Sequence, residues 1–219
     1  MTSTVKTALL LASVALAWVA AQAADGSSFK PPIGAKVAVV VFEDLQCPAC
    51  AVAYPAVWST ATAQHIPVVL HDYPLPKHTW SFQAAVFARF FDTKDTKSLK
   101  LGNDYRGYIY QNQNLILDQA GLNYYTKKFA DDHKVLLPSA VDPQGKLTEK
   151  VKADYALGQK IGLKYTPTIF VVGQNNAVTP FVEVEDRNQL SQIIGDMVKK
   201  AGPATPAKTK TTASKKKTS

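Results

Sequence analysis

The stretch VAVVVFEDLQCPAC at residues 37–50 decides how the chain folds, because it joins an apolar run to the only two cysteines. The continuous β-branched run at residues 37–42 is typical of a strand buried on both faces of a sheet. Cys47 and Cys50 follow with two residues between them, where the composition begins to favour a helix. The sequence therefore predicts a buried strand, a short turn and a helix that starts at the cysteines.

This cysteine spacing indicates a thiol–disulfide redox pair. The free N–H groups and the dipole of a helix N-terminus favour a thiolate on Cys47, and Cys50 is close enough to attack a mixed disulfide formed there. Half of a zinc site and a structural disulfide remain open from the residues alone. Zinc needs about four ligands, and no second C-x-x-C or H-x3-H accompanies the pair, so we expect no metal and no cofactor.

The first 23 residues resemble a signal peptide. Lys6 precedes an apolar stretch at residues 7–19, and Ala21-Gln22-Ala23 fits a small-residue cleavage site. The stretch is shorter than the roughly 20 residues that a membrane span needs, although an uncleaved anchor stays open. We expect a periplasmic protein cleaved near Ala23, in an oxidising compartment where disulfides persist.

Most of the net charge of +8 lies in the last 17 residues. Residues 203–219 hold five lysines and no acid, and Lys6 carries one more charge, so the remainder is near +2. This tail is rich in Pro, Ala, Thr, Ser and Lys, a composition that predicts disorder. The tail could be only a solvated end or could contact an anionic surface, and we expect no nucleic-acid partner.

Hydrophobic patterning predicts a βαβ unit, a helical block and a final ββα unit, which is an α/β fold. The predicted strands are residues 37–42, 66–71, 168–172 and 177–184, with a hairpin turn at 173–176. The predicted helices are residues 50–64, 80–91, 99–113, 122–132, 146–161 and 188–200. Pro55 should kink the first helix rather than end it.

Three motifs together resemble the DsbA-like branch of the thioredoxin superfamily: residues 40–50, the segment DYPLPKH at 72–78 and the segment GLKYTPTIFV at 162–171. The resemblance extends over about residues 37–200. It implies a thioredoxin fold, with a central sheet of four or five strands flanked by helices. A helical insertion at about 78–160 would lie within a domain covering residues 24–202.

The resemblance also implies a role for each motif residue. Cys47 is expected to be the nucleophile and the more exposed thiol, and Cys50 the resolving cysteine. Thr166 and Pro167 match the place of a cis-proline that faces the cysteines. Because proline offers no N–H, the Thr166 backbone would be free to pair with a substrate peptide as an added strand.

The sequence departs from the family pattern at two places that are expected to affect the pKa and the reduction potential of the cysteine pair. Many relatives have an acid six positions before the first cysteine, where this chain has Val41. Glu43 lies on the same strand face and either substitutes for that acid or is a solvated residue at the strand end. The dipeptide Pro48-Ala49 lacks the histidine of the strongest oxidants, so we expect a Cys47 pKa and a reduction potential between those of strong oxidants and thioredoxin.

The four histidines are given minor roles. His65, His71 and His133 are expected to be ordinary surface, edge or helix-end residues. His78 matches a histidine in the family's Pro-Leu-Pro-x-His segment and is expected to cap or orient the first inserted helix.

These features predict an enzyme, an extracytoplasmic thiol–disulfide oxidoreductase that oxidises exported proteins containing cysteines. A membrane redox partner is one expected partner, and a monomer is the expected state, because no N-terminal segment is long enough to supply the dimerisation domain usual in isomerases of this superfamily. Two alternatives remain: a reductase or isomerase partner in the same compartment, and a redox-inactive peptide-binding module.

Overall fold

The structure is a computed structural model that describes residues 30–96, 98–174 and 181–201, without the side chains of residues 181 and 182. The predicted signal peptide and the Lys-rich tail lie outside the described residues, as do half of the predicted hairpin turn (175–176) and the first half of the predicted strand at 177–184 (177–180). Within the described part of the chain, no helix has both the length and the apolar character needed to cross a membrane.

A four-stranded sheet forms the centre of the fold. Its order is β2 (Val68–Asp72), β1 (Val37–Glu43), β3 (Thr168–Gly173) and β4 (Phe181–Glu183). β1 pairs in parallel with β2 and antiparallel with β3, so that Val41 lies between Leu70 and Ile169. Every residue of β1 is buried, which explains why its sequence is apolar rather than alternating.

Six α-helices surround this sheet: α1 (Pro48–Ala63), α2 (Ser81–Asp92), α3 (Lys100–Asn112), α4 (Gln119–Asp132), α5 (Lys146–Lys160) and α6 (Leu190–Ala201). α2 to α5 follow β2 and precede β3, as the helical insertion predicts. α1 continues through Pro55, as predicted.

The two faces of the sheet bury different helices. Val39 and Val41 of β1 pack against Val57 of α1 and Ile194 of α6. On the opposite face, Phe42 contacts Tyr73 at a ring-centroid distance of 6.3 Å, and residues of α5 cover that layer. Because β1 alternates between these layers, residue 43 points toward the α1 side, directly below the cysteines.

The inserted helices have a separate aromatic core. Phe91 of α2, Tyr105 of α3 and Phe129 of α4 contact one another with ring centroids 4.7 to 5.2 Å apart. Cys47 and Cys50 belong to the same buried cluster. The redox pair therefore lies where the sheet domain meets the inserted helices.

Candidate active site

The two cysteines lie at the start of α1, where β1 ends. Cys47 has extended backbone geometry at the N-cap, and Pro48 occupies the first helical position, where its missing N–H costs nothing. Both cysteines are free thiols, with Cys47 7% exposed and Cys50 2% exposed. Cys47 is thus the more exposed of the two residues, as the resemblance implies, although both are buried.

A loop from the far end of the chain closes over Cys47. The Thr166–Pro167 peptide bond is cis, as the resemblance implies. In its protonated form, the Cys47 thiol donates to the Thr166 carbonyl oxygen at 3.3 Å. The Thr166 hydroxyl lowers the pKa of both thiols but has no hydrogen-bond partner of normal geometry among the described residues. This loop therefore lies directly against the sulfurs and leaves one polar group unsatisfied.

The surroundings of the two thiols separate their acidities. A hydrogen bond from Cys50 is the main reason that the pKa of Cys47 falls to about 5, and backbone N–H groups at the start of α1 lower it further. Burial raises the pKa of Cys50 well above its usual value. At neutral pH the reduced pair therefore holds one thiolate at Cys47 and one proton at Cys50, which is the difference in acidity expected of a nucleophile and a resolving cysteine.

Asp44 ties the cysteine turn to the inserted helices. Its buried carboxylate accepts hydrogen bonds from the Gln46 and Leu75 N–H groups, each at 2.7 Å, and from the Ser81 hydroxyl at 2.6 Å. His78 Nδ1 lies 2.7 Å from the same carboxylate, while the Asp44 N–H approaches the Cys50 sulfur at 3.5 Å. His78 acts through Asp44, near the start of α2, which agrees with its predicted orienting role. Asp44 itself was missed, although an acid between a buried strand and a helix start was a usable signal.

Glu43 is buried below the cysteines, so the solvated alternative is wrong. Only 4% of the residue is exposed, its Oε1 lies 3.0 Å from Arg106 Nε, and the Tyr110 hydroxyl donates to Oε2 at 3.1 Å. Burial raises the pKa of Glu43 to about 7, although Arg106 acts in the opposite direction. Glu43 also lines a narrow cavity with Cys50 and Pro167, of about 10 Å³. A carboxyl that titrates near neutral pH thus lies beside the protonated cysteine.

A network of buried charges surrounds Glu43. Arg106, whose side chain is only 1% exposed, also lies 3.5 Å from Asp72 and 3.3 Å from Asp92. Arg89 bonds Asp72 and Asp154, and His71 Nδ1 lies 2.7 Å from Asp154. His71 lies in the edge strand β2, as expected, but it is not an ordinary surface residue, because it is partly buried, pairs with Asp154 and stacks on Phe42. The network joins β1 and β2 to α2, α3 and α5.

A groove opens beside the cis-proline loop. It extends from Ala49 across Thr166 and Pro167 to residues 183–188, with a volume of about 420 Å³. Ala49 and Tyr165 are exposed at its edges. The groove therefore includes Thr166, whose carbonyl oxygen lies 3.3 Å from the Cys47 sulfur. Among the described residues, no group of three His, Cys, Asp or Glu side chains is placed to hold a metal ion.

Comparison with known families gives one match, to the family model described as thioredoxin, over residues 33–194. This range includes both cysteines, the cis-proline loop and the inserted helices. A search of curated proteins gives no match.

Solved structures give several matches to the fold. Wolbachia pipientis α-DsbA1 has a TM-score of 0.62 at 14% identity, covering 78% of this chain and 90% of that protein. Pseudomonas aeruginosa DsbA2 has a TM-score of 0.54 at 19% identity, with coverages of 77% and 92%. A linker-deletion variant of Proteus mirabilis ScsC has a TM-score of 0.60 at 21% identity, with coverages of 83% and 82%. These likenesses confirm the predicted DsbA-like form of the fold.

Proposed function

The chain belongs to the thioredoxin family, and on this premise we propose that it is an extracytoplasmic protein thiol–disulfide oxidoreductase that oxidises cysteines of exported proteins. The observation that carries the proposal is the pairing of an acidic Cys47 thiol with a protonated Cys50 directly against the cis-proline loop. A structural disulfide requires no such division of acidity.

The first step begins from the oxidised enzyme. A substrate thiolate attacks Cys47 Sγ, a mixed disulfide forms there, and the Cys47–Cys50 bond breaks. Cys50 leaves as a thiolate and, because burial raises its pKa, takes up a proton. Glu43 is the nearest candidate donor, since it titrates near pH 7 and lines the same narrow cavity. That cavity is close to the smallest volume that accommodates one water molecule, which could relay the proton.

The second step releases the product. A second substrate thiolate attacks the substrate sulfur of the mixed disulfide, and Cys47 leaves as a thiolate. Its low pKa makes Cys47 a good leaving group in this step. Overall the substrate loses two electrons and two protons and gains a disulfide, while the enzyme pair is reduced. A membrane redox partner that accepts two electrons would restore the disulfide.

The cis-proline loop supplies the docking edge for the substrate. Pro167 has no N–H and β3 begins at Thr168, so the Thr166 backbone lies where an incoming extended segment could add to the sheet. The segment would place its cysteine over Cys47.

The oxidising direction follows from the stability of the reduced form. A stabilised Cys47 thiolate favours the reduced enzyme, and that makes its disulfide an oxidant. The signal peptide proposed at residues 1–23 supports a location in the periplasm. We assign residues 24–202 to the catalytic domain, about 78–160 to its insertion and 203–219 to the tail.

The test is reoxidation of a reduced, unfolded ribonuclease by the oxidised protein, read as recovered ribonuclease activity. We expect stoichiometric oxidation by the native protein and none by Cys47→Ser. A Cys50→Ala variant whose Cys47 is first joined to an aromatic thiol by an aromatic disulfide should exchange that thiol for a single-cysteine peptide and hold a stable mixed disulfide, because it has no resolving thiol. Peptide binding that survives in both variants without any turnover by the native protein would favour a redox-inactive binding module. Turnover only with a supplied electron donor would favour a reductase.

A further inference from the structure

Most of the charged residues that line the groove beside the cis-proline loop are acidic. We call this groove the acidic groove. Its charged lining consists of three carboxylates and one guanidinium, those of Glu183, Glu185, Asp186 and Arg187. All four residues are exposed. A groove with this balance, next to a reactive thiol, favours an approaching segment that carries positive charge.

Two of the three carboxylates accept hydrogen bonds from neutral donors. The Tyr165 hydroxyl donates to Glu183 Oε1 at 2.8 Å, and Asp186 Oδ1 accepts the Asn188 N–H at 2.9 Å. Glu183 and Glu185 both raise the pKa of Tyr165, which indicates that both carboxylates lie on the Tyr165 side of the groove. No salt bridge within the described ranges involves any of the three acids. Their charge is therefore oriented without being neutralised.

A second observation points to a ligand at the other end of the groove. Thr166 is 7% exposed and lines the groove next to Cys47. Its hydroxyl lies close enough to both thiols to lower their pKa, but it has no hydrogen-bond partner of normal geometry among the described residues. A buried hydroxyl without a partner costs free energy. A polar group of a bound polypeptide main chain would supply the missing bond. The groove thus combines an unsatisfied polar group near the sulfur with acids farther along.

We propose that the acidic groove selects substrates in which a lysine or arginine lies within a few residues of the reactive cysteine. The substrate segment runs from Cys47 past Thr166 toward Glu183 and Glu185, and its basic side chain reaches these carboxylates. This inference rests on the proposed function, because the segment is held at the groove by its exchange with Cys47.

The test uses three reduced peptides, each with a single cysteine. They differ only in the residue two positions from that cysteine, which is Lys in the first, Gln in the second and Glu in the third. The measurement is the rate constant for attack of each peptide on the oxidised protein in low salt. Rates are divided by those of the same peptides with a small aromatic disulfide, which corrects for thiol reactivity. We expect the Lys peptide to react about tenfold faster than the Glu peptide, and the ratio to approach one at high salt.

Substitution should then locate the source of the preference. The double variant Glu183→Gln, Glu185→Gln keeps an acceptor for Tyr165, and it should reduce the ratio to about twofold. Glu149→Gln, an exposed acid in α5, is the matched control and should leave the ratio unchanged. Glu185→Lys leaves two carboxylates and two cations in the lining, so it should bring the ratio close to one, which tests the groove independently of the double variant.

The possible failures are distinct. Equal corrected rates for the three peptides with the native protein would overturn the groove assignment and leave the oxidoreductase intact. A preference for Lys that persists in the double variant would overturn it too. If no peptide reacts, the proposed function itself is wrong.

Discussion

Carboxylates occur in two regions around the cysteines, and the two regions use them differently. Below Cys50, Glu43 and Asp44 are buried, with exposures of 4% and 1%, and each is held by several partners from distant segments. Beside Cys47, the three acids of the groove are exposed, and two of them, Glu183 and Asp186, accept hydrogen bonds from neutral donors. Desolvation makes the buried charges strong and sensitive to protons, whereas solvent leaves the exposed charges weak. The buried acids can control the protonation of the thiols. The exposed acids can influence only how often a substrate meets Cys47 and which substrate is preferred.

The largest effect is expected when the buried cation Arg106 is removed. Arg106→Met would leave Glu43, Asp72 and Asp92 without their shared partner, so we expect a loss of about 3–5 kcal/mol in the free energy of unfolding. Urea denaturation measures it. Lys100→Met is the control, because Lys100 makes an exposed pair with Asp104, and it should change stability by no more than about 0.5 kcal/mol. Similar losses in both variants would contradict the distinction between buried and exposed charge.

The next test concerns the proton on Glu43. Its pKa rises from 4.5 to about 7 on folding, so the native state binds more protons than the unfolded state between these values. The stability that Glu43 contributes is therefore highest below pH 4.5 and falls as the pH rises through 7. Relative to the wild type, Glu43→Gln should become more stable by about 3 kcal/mol between pH 4.5 and pH 7.5. Urea unfolding of both proteins across this range measures the difference. A difference that does not change with pH would mean that Glu43 is ionised throughout.

The effect of these surroundings on Cys47 is tested by the pH dependence of the reduction potential. Reduction of the pair takes up two protons below the pKa of Cys47, which is about 5, and one proton above it. The potential should therefore fall by about 59 mV per pH unit below pH 5 and by about 30 mV above it. Equilibration with glutathione measures this slope, and thiolate absorbance locates the same pKa directly. A change of slope at pH 4 or below would contradict the Cys47 pKa expected from Pro48-Ala49, which lies between those of strong oxidants and thioredoxin.

The smallest effect is expected at the exposed residue Ala49. Ala49→His places a donor at the start of α1, where it can stabilise the Cys47 thiolate. We expect the pKa of Cys47 to fall by about one unit and the potential to rise by about 30 mV. Glutathione equilibration with Ala49→Gln as the size-matched control isolates the contribution of the imidazolium. An equal shift in both variants would assign the effect to bulk rather than charge.

Much of the fold was predictable because the signals are local. The β-branched run of β1, the helix after the cysteines and the apolar strand after Pro167 each reflect neighbouring residues, and the predicted elements agree with the structure within a few positions. The cysteine pair was found for the same reason, whereas the role of Thr166-Pro167 was implied by the family resemblance. Boundaries differ where a 3-10 turn adjoins an α-helix, as at Gln113–Leu115 and Arg187–Gln189.

The electrostatics of the site could not be predicted in the same way. Whether Glu43 is solvated depends on Tyr110 and Arg106, which lie more than 60 positions away in the sequence. Asp44 gathers donors from Gln46, Leu75 and Ser81, and nothing in its local sequence shows that these will converge. His71 was misjudged because its partner Asp154 lies in α5.

The sequence by itself determined the order of the elements and the cysteine pair at a helix start, because backbone preference and residue spacing are local properties. The proline loop that faces the pair was implied only by the likeness to a known family. Only the tertiary structure decided which acids are buried beneath Cys50, which remain exposed beside Cys47, and how the acidic groove joins Ala49, Thr166 and residues 183–188. The physical reason is that a pKa, an ion pair or a groove depends on what packs around a group, and that packing comes from distant parts of the chain.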